Sequence, residues 1–221
     1  MSESVRGAGV SEDVSVREGE AGTALRPPRA HTLRGVWADF QPPILLGEAP
    51  ARPRETRRET APEGPLGGRS GRFLRSLTGD LDYEAFRARW EPRNLLQEWP
   101  GRPPGGGKGS WLPPDLARQR LLAQMPDLDG RVLVTLGARV RSLVWAVLAP
   151  QAAKGRQPAW FQWVIPFEPG EGPVAWAAIP HPSGLTRLWN SPEMRAEGAR
   201  CLNWAQAWAR GAARIPRDGH P

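Results

Sequence analysis

Residues 131–136, RVLVTL, form an apolar run that ends at Gly137, and Val140, Leu143, Val144 and Val147 follow at the i, i+3, i+4, i+7 spacing of one helix face. A buried strand that turns through glycine into an amphipathic helix is the repeating unit of an α/β sheet. It constrains the rest of the chain to extend that sheet or to layer against it.

The remaining pattern agrees. Pro42-Pro43 leads into Ile44-Leu45-Leu46 and then Gly47, a second short buried strand. Further strands are expected at 94–96, 160–167 and 174–179, the last two separated by the turn Glu168-Pro169-Gly170. Helices are expected at 71–78, with Phe73, Leu74 and Leu77 on one face, and at 82–90, ahead of Pro92. Pro113-Pro114-Asp115 opens another that runs to Met125 and carries Leu116, Leu121 and Leu122. Ser191-Pro192-Glu193 supplies N-cap, N1 and N2 of a last helix, which lines up Met194, Gly198, Cys201, Ala205 and Trp208. Strands alternating with helices predict an α/β sheet layered by helices, spanning 36–210 as one domain. Residues 1–35 and 211–221 lack this periodicity and read as tails. No internal repeat is visible.

Composition sets limits on function. Of 221 residues, 25 are Gly and 25 Pro, so part of the chain is irregular, while 11 Trp argue against a wholly disordered one. All but two of the 30 basic residues are arginines, Lys108 and Lys154 being the exceptions, and the net charge is +7. That balance suits a nucleic-acid partner without requiring one. Cys201 is the single cysteine, which excludes an intrachain disulfide framework and a cysteine-held cluster; with three His, no metal site and no cofactor are expected. Cys201 itself reads as a core thiol. No apolar run reaches the ~20 residues that span a bilayer. The first twenty residues contain no apolar leader, so a cytoplasmic, membrane-free protein is expected.

In an α/β sheet, ligands bind where loops leave the carboxyl ends of strands. Three loops then matter: the one after Leu46, the one around Asn94 and the one after Ile179. The first holds Gly47-Glu48-Ala49-Pro50, in which glycine permits a tight turn and proline stiffens the exit. Read alone, Glu48 is a solvated loop carboxylate. The third holds His181-Pro182-Ser183-Gly184-Leu185-Thr186-Arg187. Read alone, His181 is a loop histidine bonded to a backbone carbonyl, although the other two, His31 and His220, fall in the tails.

Taken together, G-E-A-P at an early strand end and H-P-S-G-L near the C-terminus resemble the paired motifs of the uracil-DNA glycosylase superfamily. The resemblance continues between them. Gly64-Pro65-Leu66-Gly67-Gly68-Arg69-Ser70-Gly71-Arg72-Phe73-Leu74 is similar to the G-x-P-F-x-G-x-x-G-x-L-L segment of that superfamily's iron–sulfur branch. Arg93-Asn94-Leu95-Leu96, followed by Gly/Pro-rich sequence and Pro113-Pro114-Asp115, is similar to its T-N-V-V-K-C-R-P-P stretch and the helix beyond. The match runs from about 36 to 209. Three departures stand out: the cluster cysteines are missing, Leu66 replaces the phenylalanine that stacks on the flipped base, and H-P-S-G-L-T-R mixes the histidine of the uracil-specific branches with the G-L-S-R of the mismatch-specific one.

The resemblance implies a three-layer α/β/α sandwich with a central, mostly parallel sheet. It also implies a monomeric enzyme that hydrolyses the N-glycosidic bond of a pyrimidine flipped out of DNA, uracil by default. His181 would donate to the base O2 as charge develops there, and Glu48 would orient water or stabilise the sugar cation. Asn94, Leu66 and Ala49 would form the base pocket. Gly67, Gly68 and Ser183 would hold phosphates, Leu185 would fill the vacated stack, and Arg187 would meet the opposite strand. Other readings stand beside these. Asn94 also fits a turn cap, Leu185 a buried loop anchor, and Arg52, Arg54, Arg57 and Arg58 either a solvated loop or a DNA clamp. Substitution at Leu66 fits a modified pyrimidine such as a decorated phage cytosine, in a defence rather than a repair role. A catalytically silent DNA-binding relative is the non-enzymatic alternative.

Overall fold

A computed structural model of the chain describes residues 41–50, 64–105, 111–149, 157–164, 172–183 and 186–212. The chain runs β1 (Ile44–Gly47), α1 (Arg69–Thr78), α2 (Tyr83–Arg89), β2 (Glu91–Asn94), α3 (Pro114–Leu128), β3 (Val132–Leu136), α4 (Ala138–Leu148), β4 (Ala175–Ile179), a 3₁₀ turn (Arg187–Asn190) and α5 (Pro192–Ala209). The four strands are parallel and ordered β2-β1-β3-β4.

Alternation along each strand sorts the core into two layers. Leu45 of β1, Val132, Val134 and Leu136 of β3, and Ala175, Ala177 and Ile179 of β4 pack with α1, α2 and α5. Ile44 and Leu46, Leu133, and Trp176 and Ala178 face the other way, toward α3 and α4. A parallel sheet needs both faces covered, and this one has them covered, so the fold is a three-layer α/β/α sandwich. The one hydroxyl in the strands is satisfied: Thr135 donates to the Ala177 carbonyl, 3.3 Å, and accepts from the Trp176 indole, 3.1 Å. Cys201 is fully buried in the α5 layer, and burial pushes its thiol well above the usual range.

Two expected strands are corrected. The strand expected at 94–96 lies three residues earlier, and β2 ends at Asn94. Pro92 obscured it, yet it fits, because Glu91 and Leu95 direct their N–H groups to β1 and residue 92 therefore turns its nitrogen to the side on which β2 has no partner among the described residues. The run beginning at Trp160 is a turn in which Phe161 has φ 65°, a conformation no strand contains. Only Val164 pairs, in an isolated antiparallel bridge to Trp176, and 165–167 lie outside the described residues. α3 also passes through Pro126 to Leu128 rather than stopping at Met125. Pro126 deprives the Leu122 carbonyl of its helical donor, but Leu122 is on the exposed side, and the extra turn buries Leu128 completely.

α5 starts where expected, with the Ser191 hydroxyl accepting from the Met194 N–H, 3.3 Å. It ends in a Schellman cap: Gly211, φ 69°, donates to the Trp208 carbonyl and Ala212 to that of Ala207. Residues 1–40 and 213–221, and with them both expected tails, are outside the described residues, apart from the two residues of this cap. No helix among the described residues is long and apolar enough to cross a membrane.

Candidate active site

Strand order reverses direction between β1 and β3, because the chain moves outward to β2 on one side and to β4 on the other. The carboxyl ends on either side of such a switch point leave a crevice between diverging loops. Gly47, Asn94, Gly137 and Pro180 mark those ends, and the chemically distinctive side chains follow them directly.

The β1 and β2 exits stay clamped together. The Leu95 N–H donates to the Gly47 carbonyl and the Leu96 N–H to the Glu48 carbonyl, both 2.9 Å. This brings the Asn94 amide against Gly47, where a Cβ would stand 3.3 Å from Asn94 Oδ1. Glycine at 47 is thus what lets the amide lie close across the strand end.

Glu48 does not point into solvent. Its side chain is 14% exposed and pairs with Arg139, whose Nη2 is 3.0 Å from Glu48 Oε2. Arg139 belongs to the first turn of α4, just past the β3 exit. Nothing local in the sequence distinguishes Arg139 from the other arginines; its partner is ninety-odd residues away in the chain.

His181 reaches the same place from β4. β1 and β4 are two strand spacings apart, roughly 10 Å, and the intervening β3 exit is Gly137, φ 95°. His181 leans on that glycine: a Cβ there would be 3.2 Å from His181 Cβ and 3.5 Å from Cδ2. The loop fixes the ring. The Ser183 N–H donates to His181 Nδ1, 3.1 Å, so the neutral imidazole carries its proton on Nε2. The Trp189 indole donates to the His181 carbonyl, 3.1 Å. Trp189 is itself held against Phe73 of α1, with ring centroids 5.1 Å apart, and fills the space left by Gly198 of α5. Burial holds the His181 pKa below the usual histidine range; Glu48 opposes that shift and Arg139 adds to it. A neutral histidine with its proton on Nε2, a fixed carboxylate, a side-chain amide and a guanidinium therefore share one end of the sheet. Such a set can donate to a developing oxyanion and orient a water.

The other expected site residues fall around this group. Ala49 packs against the α3–α4 layer. Leu66 sits in a turn closed by the Gly67 N–H on the Gly64 carbonyl, 3.1 Å, with Pro65 at its second position. It has φ 62°, a left-handed conformation that costs a leucine roughly 1–2 kcal/mol. Its carbonyl packs on Gly71, where any Cβ would collide with it at 1.4 Å, and its side chain rests on the α1–α5 layer. The adjoining Pro65 and Asn94 line one open groove of about 440 Å³ along β2. Gly67 precedes Gly68, which caps α1 without a side-chain hydrogen bond. Ser183 is half-buried and its amide serves His181. Arg187 is exposed at the start of the 3₁₀ turn. Leu185, and the arginines at 52, 54, 57 and 58, lie outside the described residues. No group of three or more His, Cys, Asp or Glu side chains suited to a metal gathers among the described residues.

No family model matches the chain, and no curated protein matches it.

Proposed function

We propose that this protein is a DNA glycosylase that hydrolyses the N-glycosidic bond of uracil, or a related pyrimidine, flipped out of DNA. The observation that carries the reading is the Nε2–H tautomer of His181 beside the Glu48 carboxylate at the switch point of the sheet. As C1′–N1 breaks, its electron pair moves onto the base and charge collects on O2. A half-buried, neutral Nε2–H aimed at that oxygen stabilises it without a proton having left the ring. Water then bonds to the oxocarbenium carbon, and Glu48 orients it and receives its proton, which passes to the base anion. The products are the free base and an abasic sugar. Asn94 offers donor and acceptor to the base edge. The uncapped amino end of α1 at Gly67-Gly68 and the exposed Arg187 suit DNA phosphates. The enzyme acts as a monomer.

Leu66 favours a second substrate reading. Its branched side chain gives no aromatic face for stacking, which suits a bulkier, modified cytosine and a defence role. Oligonucleotides carrying one uracil, hydroxymethylcytosine or glucosylated cytosine, each followed by alkaline cleavage of abasic sites, decide between the two. DNA binding with no excision of any base leaves the silent relative.

A further inference from the structure

We propose that Arg139 is a positioning residue of this site, holding the Glu48 carboxylate in one orientation beside the His181 imidazole. The inference deepens the glycosylase reading and rests on it for its activity arm alone.

Three observations carry it. The first is the contact itself: Arg139 Nη2 lies 3.0 Å from Glu48 Oε2, and the acid is the buried partner, 14% exposed against 48% for the arginine. A carboxylate withdrawn from water needs a fixed cation, and here the cation comes from the neighbouring strand exit rather than from Glu48's own loop. The second is that Arg139 is misplaced by local rules. It occupies the first turn of α4, where the helix dipole is positive and a cation is disfavoured, and that turn holds no acidic residue to offset it. A residue that breaks a local rule signals a role met elsewhere in the fold. The third is shape. Gly137 and Ala138, the two residues before Arg139, leave the β3 exit nearly bare, so His181 lies against that exit from one side while the guanidinium reaches Glu48 from the same turn.

Among the described residues, the charged groups that bear on His181 are Glu48, from the loop after β1, and Arg139, from α4; the first favours the imidazolium and the second opposes it. Asn94 on β2 and Trp189 on the 3₁₀ turn contribute no charge. Loss of Arg139 removes a positive charge that opposes protonation of the ring. His181 then protonates at higher pH, its Nδ1 ceases to accept from Ser183, and the ring loses its fixed orientation.

The test has two arms on the full-length chain. The first follows the His181 ring by proton NMR across a pH titration of wild type, R139Q and R139K. The chain has three histidines, and the His181 signal is the one missing in His181→Ala. The expected result is a midpoint shifted upward in R139Q and near wild type in R139K. An R139Q midpoint equal to wild type overturns the proposal. The second arm measures single-turnover excision of uracil against pH. R139Q should lose activity on the acid side at a higher pH than wild type, and R139K should recover the wild-type profile at a lower absolute rate. A profile merely scaled down at every pH, with no recovery by lysine, makes Arg139 a structural residue only. If R139Q does not fold, Arg139→Met, which keeps the stem, takes its place in both arms. A wild-type protein that excises no base defeats the glycosylase reading, and the titration still decides the role of Arg139.

Discussion

Gly137 and His181 touch where β3 and β4 leave the sheet: a methyl group on the glycine would stand 3.2 Å from the histidine Cβ, with Cγ 3.7 Å away. The glycine also has φ 95°, which an L side chain rarely adopts. Gly137→Ala therefore meets two penalties at once. Backbone strain of this kind costs about 1–3 kcal/mol, and the new methyl must displace His181 by a few tenths of an ångström. The denaturation midpoint should fall by a corresponding amount, and excision should fall further than stability explains. A midpoint equal to wild type would show that β3 and β4 do not meet as described.

His181 also links folding to pH. Burial, aided by Arg139 and opposed by Glu48, places its folded pKa below the unfolded one, which lies near 6.5. The folded protein then binds this proton less readily than the unfolded chain. The resulting stability is fully present above the unfolded value and is lost as pH falls through the folded one. His181→Gln removes the titration, so its stability should decline less steeply than wild type as the pH drops below about 6.5. Parallel declines in urea titrations of the two proteins would contradict the assignment.

Much of this arrangement is legible in the sequence, and the failures have physical causes. β3 and α4 could be read because Val132–Leu136 is apolar at every position but Thr135, and Val140, Val144 and Leu148 repeat at helical spacing. Glu48 and His181 stand out because each follows a strand end, whereas Asn94, expected to open a strand, is the last residue of β2. β2 is displaced because Pro92 reads as a breaker unless the sheet position is known; on the side where β2 has no partner among the described residues, its missing N–H leaves no ladder bond unmade. The run from Trp160 looks like a strand because apolar residues crowd it, but Phe161 and Trp163 are buried by a turn against β4 and α5. Arg139 was invisible for a different reason. A salt bridge between the exits of two strands depends on strand order, and periodicity within either segment carries no information about order.

Cys201 should be chemically silent in the native protein. Its side chain is fully buried beneath α5, and burial raises its pKa well beyond the range in which a thiolate forms. A water-soluble disulfide reagent should label none of it under native conditions and one equivalent after denaturation. Rapid native labelling would mean that α5 opens or does not pack on β3 as described.

His181→Ala should separate binding from chemistry. The Nε2–H serves charge that is absent from the ground state, so DNA affinity should hold while single-turnover excision slows by roughly 10²–10³. An unchanged rate would remove His181 from the reaction.

Leu66→Phe tests both the substrate and the placement of the Gly64–Gly67 turn. Leucine and phenylalanine pay a similar cost for φ 62°, so the substitution leaves backbone strain nearly constant and changes mainly what the side chain touches. The turn is anchored independently of that side chain, by the Tyr83 hydroxyl on the Pro65 carbonyl, 2.7 Å, and by the Leu66 carbonyl on Gly71. The fold should therefore tolerate the ring. A new aromatic face in the base pocket would stack on a flipped base, an interaction worth about 1–3 kcal/mol per base, or up to roughly a hundredfold in affinity. If uracil is the natural substrate, its excision should hold or improve. If the pocket serves a bulkier pyrimidine, excision of that base should fall while uracil excision rises. The measurement is single-turnover excision of both bases by both proteins. Identical rates throughout would show that residue 66 spends its side chain on the α1–α5 layer, where the leucine already packs, and that the base is bound elsewhere.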